Sequence, residues 1–399
     1  MYPDRALATP ARPPVPIRAT SLRLGRMRGW DAAIVIPAKD EENRLRACLD
    51  AAAIAVRAAD GICAGIVLVV NNTRDASALR AFDWAVTQRV VPFAMIDCDF
   101  WPGEAGVGAA RRLGLDMACG QLAAHGALLT TDADTLVRDD WVMRNLAELR
   151  AADLICGTVL ARPDEARALP AEIAAHGSAE RAYLAGSVRL VARLDPQPND
   201  PAPAHHNPAG ASMAVSRRVH EAVRGLPALP LREDRAFAER VEAHDFRVRF
   251  SPDAIVETSC RMTGRTAGGM AGALRAHACD PDPWADEWIE AADTLALRHG
   301  LRGRLRAIWP DALALHGVLR GALGACQADR IMAAPAGPHF GAFFAAVEAR
   351  APELARHRLR LSDCRRQLPR LRELLASAES ADRRHPARSA SGARNLAAP

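Results

Sequence analysis

The chain has 399 residues, 49% hydrophobic and 25% charged, which excludes a disordered or fibrous protein and leaves room for one large or two moderate globular domains. Its net charge of +5 is spread along the sequence, which excludes a nucleic-acid-binding stripe. Nine cysteines without a Cys-x-x-Cys pair argue against a disulfide framework or a zinc site, and no apolar run approaches the ~18 residues that span a bilayer, so a cytoplasmic protein with at most peripheral membrane contact is expected.

Residues 1–29 carry Pro10, Pro13, Pro14 and Pro16 among arginines, with little apolar periodicity, and are expected to form a disordered arm. From Asp31 the pattern changes. Ala32-Ala33-Ile34-Val35-Ile36 is a continuous apolar run suited to a central parallel strand, closed by Pro37. After Lys39-Asp40-Glu41-Glu42-Asn43, which holds the only lysine of the chain, Leu45, Cys48, Leu49, Ala52, Ala53 and Val56 share one helical face. A second unit repeats the plan: a strand at 66–70, the turn Asn71-Asn72-Thr73-Arg74-Asp75, and a helix carrying Leu79, Phe82, Trp84 and Val86. Two βα units in succession predict a parallel sheet with helices on its faces.

Residues 90–96 predict a third strand, and residues 103–112 a glycine-bearing loop that runs into a helix, where backbone N–H groups could face an anion. Ala127-Leu128-Leu129-Thr130-Thr131 then reads as a short buried strand ending in Asp132-Ala133-Asp134. Residues two apart in an extended chain face the same way, so both carboxylates lie just past the strand's carboxyl end, where open α/β sheets bind ligands. Hard oxygen donors so placed suit Mg²⁺ or Mn²⁺ carrying a diphosphate; the plainer reading is a solvated turn. Further strands are expected at 154–159, 211–215 and 247–250, an alanine-rich helix between 164 and 194, and a Pro- and Asn-rich loop at 195–208. Leu231-Arg232-Glu233-Asp234 opens another helix. Strand signals stop after Ser259; residues 266–376 read as helical and 377–399 as a disordered tail.

Taken in order, four features resemble family 2 glycosyltransferases: Ile34-Val35-Ile36-Pro37-Ala38-Lys39-Asp40-Glu41-Glu42, the second strand with its polar turn, Thr131-Asp132-Ala133-Asp134-Thr135, and Gly210-Ala211-Ser212-Met213-Ala214-Val215 followed by Arg232-Glu233-Asp234. The resemblance covers about residues 31–265. It implies a GT-A type α/β domain over 30–265, with a mostly parallel sheet, helices on both faces and a C-terminal helical extension. It also implies a metal-dependent, inverting transfer of a sugar from a UDP- or GDP-sugar to an acceptor hydroxyl.

By that resemblance Pro37, Glu41, Asn71 and Asn72 contact the nucleotide sugar, although the family usually has aspartates where Asn71-Asn72 stands. Arg111 and Arg112 match a basic position in a nucleotide-contacting loop. Asp134 would ligate Mg²⁺ or Mn²⁺, with Asp132 on the ribose or sharing the ion. Asp234 matches the general base, with Glu233 orienting it or the acceptor. Arg261 and Arg265 are similar to a basic loop that closes over the diphosphate, a role suited to arginine's planar fork.

Plainer readings stand beside these. Glu233-Asp234 also fits an acidic helix start, Arg261 and Arg265 a solvated loop, and His205 and His206 solvated or acceptor-lining residues. Two other functions compete. A sugar-phosphate nucleotidyltransferase usually has a glycine-rich, basic signature after its first strand, where this chain is acidic. A non-catalytic nucleotide-sugar-binding protein is kept open by the Asn71-Asn72 turn.

Overall fold

The apolar runs that alternate between two buried faces become the strands of one sheet. In the computed structural model, which describes residues 13–88, 91–264, 269–333 and 337–384, the strands are β1 (Arg18–Leu24), β2 (Trp30–Ala38), β3 (Ala64–Asn71), β4 (Phe93–Asp99), β5 (Leu122–Thr130), β6 (Thr135–Val137), β7 (Leu154–Cys156), β8 (Val159–Ala161), β9 (Met213–Ser216), β10 (Val248–Phe250) and β11 (Val256–Thr258). Eight of them form a mostly parallel sheet in the order β1-β4-β3-β2-β5-β9-β7-β10, and β6-β11-β8 form a small second sheet. With its flanking helices and a helical C-terminal region, this is the α/β class expected.

β2 shows why both faces are covered. Ala32, Ile34 and Ile36 enter one apolar cluster with the helices Leu45–Ala58 and Ser77–Thr87, while Trp30, Ala33 and Val35 enter another with the helix Val107–Cys119. The crossover βα units leave the carboxyl ends of β2, β3 and β5 together at one edge. β9 runs antiparallel between β5 and β7, so that its start, just after Gly210, reaches the same edge beside Thr130.

The chain divides into two compact units, the first within Met1–Ala168, Asn207–Glu242 and Phe246–Arg275, the second within Leu169–His206, Ala243–Asp245 and Ala276–Pro399. All eleven strands lie in the first. In the second, the helix Ala171–Leu194 lies along the helices Ala292–Ile308 and Leu361–Arg384 through Tyr183, Leu190, Leu295 and Leu371, and a second cluster gathers Leu301, Leu305, Phe340 and Phe344.

Several local expectations are corrected. Residues 18–24, read as part of a disordered arm, form β1, paired along its whole length with β4 and seating Leu22 and Leu24 against the core. The proline density that ends at Pro16 hid the alternating Ser21-Leu22-Arg23-Leu24 behind it. The strand expected at 90–96 is β4, Phe93–Asp99; residue 90 lies outside the described residues. Residues 169–206, assigned to the sheet domain, belong to the second unit. In the helix Ser77–Thr87 the buried face is Ser77, Ala81, Trp84 and Ala85, leaving Leu79, Phe82 and Val86 exposed. Among the described residues no helix is long and apolar enough to cross a membrane.

Candidate active site

At the sheet edge the loops after β2 and β3 are laced together. The Asp40 N–H donates to Thr73 Oγ1 (2.8 Å), Arg74 N–H to Asp40 Oδ1 (2.7 Å), Glu41 N–H to Ser77 Oγ (2.7 Å), and Glu42 N–H to Asp75 Oδ2 (3.0 Å). Burial acts to raise the Asp75 carboxyl, but its donors outweigh it and hold the group below its ordinary value. Asp40 and Asn72 sit at φ +52° and +47°, the left-handed region that Asx residues tolerate best and that concentrates at functional sites. This lattice fixes where Glu41 points.

Asn72 departs from its expected role. Its Nδ2 donates to the Phe100 carbonyl (3.0 Å) and its Oδ1 accepts from the Phe100 N–H (3.1 Å), so both ends of the amide are committed to the backbone. Pro37 and Asn71 are buried at the strand ends, not displayed at the crest. Pro37 costs no ladder bond to β5, because that pairing ends at Val35 and Thr130.

Asp132 and Asp134 follow β5 as expected. The Ser259 N–H donates to the Asp134 carbonyl (3.2 Å), and Glu165 accepts from the Ser259 hydroxyl (2.6 Å) and the Cys260 N–H (3.0 Å), which anchors the segment carrying Arg261. Arg261 bonds Glu41 through two nitrogens (2.5 and 3.0 Å) and lies 3.0 Å from Asp134 Oδ2. One guanidinium thus joins the acid after β2 to the acid after β5, instead of waving in a solvated loop. Arg265 lies outside the described residues.

The Asp134 carboxyl is pushed up to about 6, by burial first and then by the charge of Asp132. Three residues earlier in the chain, Thr131 Oγ1 is buried without a hydrogen-bond partner. Two crowded carboxylates fit a hard divalent cation, which commonly takes one or two protein carboxylates and completes its shell with phosphate oxygens and water. Among the described residues no group of three or more His, Cys, Asp or Glu side chains forms a self-sufficient metal cluster.

Arg111 is the centre of the opposite wall. Only 2% exposed, it donates through Nη2 to Asp132 (2.7 Å), through Nε to Glu233 (3.1 Å), and through Nη1 to Thr130 Oγ1 (2.6 Å) and the Gly210 carbonyl (2.9 Å). A Cβ on Gly210 would lie 2.5 Å from the guanidinium carbon, so only glycine permits this approach. The Gly210 N–H in turn donates to Asp234 Oδ2 (2.8 Å), and the Arg235 N–H to Asp234 Oδ1 (2.7 Å). Asp132, Glu233 and Asp234 are therefore connected through one arginine and one glycine.

Arg111, which the resemblance places in a nucleotide-contacting loop, is buried with its guanidinium committed to protein acceptors. Arg112 is likewise withdrawn, bonding Asp116 (2.5 Å) and the carbonyls of Arg224 and Leu226 (2.9 and 2.8 Å). In the glycine-bearing loop a Cβ on Gly108 would lie 2.0 Å from the Leu229 carbonyl oxygen, so this glycine admits Leu229 onto the helix start.

Burial raises the Glu233 carboxyl to about 7, against the pull of Arg111 and with help from the Asp234 charge. Below pH 4.5 both folded and unfolded chains keep this proton; between there and 7 only the folded chain does; above 7 the advantage is gone. Stability should therefore fall as pH rises through about 7, and Glu233→Gln should flatten that part of the profile in urea titrations from pH 5 to 8. A variant profile as steep as the parent's would remove Glu233 as the titrating group.

Sequence reasoning missed Asp75, Thr73, Thr130 and Glu165, none of which stands out by type. Only the Asp40-to-Ser77 polar richness of the two loops hinted at the lattice.

No protein-family model matches this sequence, and no curated protein does. Among solved structures, TarS 1–349 from S. aureus in complex with UDP is 11% identical with a TM-score of 0.41, the match covering 73% of this chain and 70% of that one. The mannosyltransferase PcManGT from Pyrobaculum calidifontis, in complex with GDP-Man and Mn²⁺, is 15% identical with a TM-score of 0.43, covering 94% and 91%. Glucosyl-3-phosphoglycerate synthase from Mycobacterium tuberculosis, with Mn²⁺, UDP and glucosyl-3-phosphoglycerate, is 17% identical with a TM-score of 0.35, covering 62% and 78%. At identities and scores this low, function has to be argued from the residues of this chain.

Proposed function

We propose that the chain is an inverting glycosyltransferase of the family 2, GT-A type, which moves a sugar from a UDP- or GDP-sugar to an acceptor hydroxyl with help from Mn²⁺ or Mg²⁺. What supports this reading most is the linkage of Asp132 through Arg111 and Gly210 to Asp234, which sets a donor-side acid and a candidate base around one centre. Asp234, half-buried and aimed by two N–H donors, takes the proton of the acceptor hydroxyl as its oxygen attacks the anomeric carbon; the bond to the diphosphate breaks on the far side, so one displacement inverts the centre. Glu233, pinned by Arg111, orients Asp234's helix start. Glu41 and Asp132 border the nucleotide. Asp134 and Asp132 would hold a divalent ion, which when bound would supply positive charge to the diphosphate. Arg261, whose fork suits phosphate oxygens, can exchange Glu41 and Asp134 for them.

Incubating the protein with UDP- or GDP-sugars and Mn²⁺ should release nucleoside diphosphate, and EDTA should lower that rate by at least ~100-fold. Release of inorganic diphosphate from a sugar phosphate and a nucleoside triphosphate would instead establish a nucleotidyltransferase.

A further inference from the structure

Glycosyl transfer as proposed above leaves one exposed ring without a role. Trp101 opens the loop after β4 and is 61% exposed, more than any other tryptophan or phenylalanine among the described residues. A single exposed apolar side chain needs no explanation by itself. Its mount makes this one informative. The Asn72 N–H donates to the Cys98 carbonyl (2.9 Å), and the Asn72 amide holds the Phe100 N–H and carbonyl together (3.1 and 3.0 Å). Phe100 itself is buried, and the Trp101 carbonyl accepts from the Glu104 and Ala105 N–H groups, both at 2.8 Å. The indole is thus displayed to solvent from a fixed backbone, and a ligand that meets it there loses little affinity to loop ordering.

The sheet gives the ring its place. β4 runs parallel to β3, and the order β4-β3-β2-β5 sets Trp101, Asn72, Glu41 and the Asp132–Asp134 pair in one row along the carboxyl edge. From β5 to β4 is three strand spacings, about 14 Å. A Cβ on Gly106 would lie 3.4 Å from Pro230 Cα, so the far end of the loop rests on the segment that leads to Glu233 and Asp234. A nucleotide sugar with its diphosphate at Asp132 and Asp134, lying along this edge past Glu41, brings its base to the Asn72 and Trp101 end. We propose that the Trp101 indole is the platform on which the donor's base stacks. This rests on the glycosyl-transfer reading and adds how the base is held. Asn72 stands where the resemblance implies a nucleotide contact, but its amide is spent on Phe100, so the base is gripped by its face and not read at its edge. Every base has a π-face, and stacking of this kind discriminates little between uracil and guanine.

Calorimetry on the full chain with Mn²⁺ tests this, with UDP, GDP and inorganic diphosphate as probes. UDP and GDP should both bind, within ~10-fold of each other, and Trp101→Ala should weaken both by ~10-fold or more. Inorganic diphosphate, which has no base, should bind the parent and the variant alike. Trp101→Phe keeps an aromatic face and should recover much of the loss. Because the ring is exposed, Trp101→Ala should leave the ligand-free melting temperature unchanged. A parent that binds neither UDP nor GDP would sink the glycosyl-transfer reading and the platform with it. A parent that binds them, beside a Trp101→Ala variant that binds them equally well, overturns the platform alone. So does an equal loss for inorganic diphosphate, since the substitution would then act on the diphosphate end and not on the base.

Discussion

Asp234→Asn should lower transfer by at least ~100-fold while leaving donor binding intact, because the amide keeps the size of the carboxylate but cannot accept the acceptor's proton. The structure makes this substitution informative. Asp234 Oδ2 accepts from the Gly210 N–H and Oδ1 from the Arg235 N–H, so asparagine can keep one of these bonds and lose little position. A helix-start role alone predicts a small stability cost, of order 1 kcal/mol, and unchanged turnover. The two roles are separated by measuring kcat with saturating donor beside the melting-temperature shift given by UDP and Mn²⁺. A hundredfold fall in kcat with an undiminished shift assigns the base. Full kcat in the variant would take Asp234 out of the mechanism and leave the acids of this edge without a proton acceptor on the acceptor side.

Arg111→Met should have the largest effect on folding. Methionine fills much of the same volume but leaves Glu233 buried beside Asp234 with its cation removed, and breaking a buried ion pair from one side costs about 3–5 kcal/mol. The bonds to Thr130 and the Gly210 carbonyl are lost as well. Arg111→Lys should recover part of the stability but not the shared aim of Asp132 and Asp234, since a single ammonium cannot span acceptors that a five-donor fork reaches together. Urea midpoints should therefore rank wild type, Lys, Met, whereas kcat should fall in both variants. If the lysine variant kept full kcat, Arg111 would be a stability element only. Near-native stability in the methionine variant would mean that the Glu233 carboxyl is protonated at the assay pH, a possibility checked by repeating the titration above pH 8.

Much of the fold was legible before any coordinates. The runs at β2 and β3 are apolar on both faces, which only a covered parallel strand requires, and the glycine, proline and Asx residues after them mark the turns. Asp132-Ala133-Asp134 was legible for a similar reason, since a period of two beyond a strand is local geometry. What stayed hidden was also local: prolines up to Pro16 concealed β1.

The sequence by itself determined the order of the βα units, the edge at which their loops gather and the acids that those loops carry. Only the tertiary structure decided what each charged side chain does. Arg111 and Arg261 are alike in sequence, one beneath the site holding Asp132 and Glu233, the other above it joining Glu41 to Asp134. The physical reason is separation along the chain. Arg111 lies 122 residues from Glu233, and Arg261 lies 220 from Glu41, so their partners are set by how strands stack into a sheet and not by any local pattern.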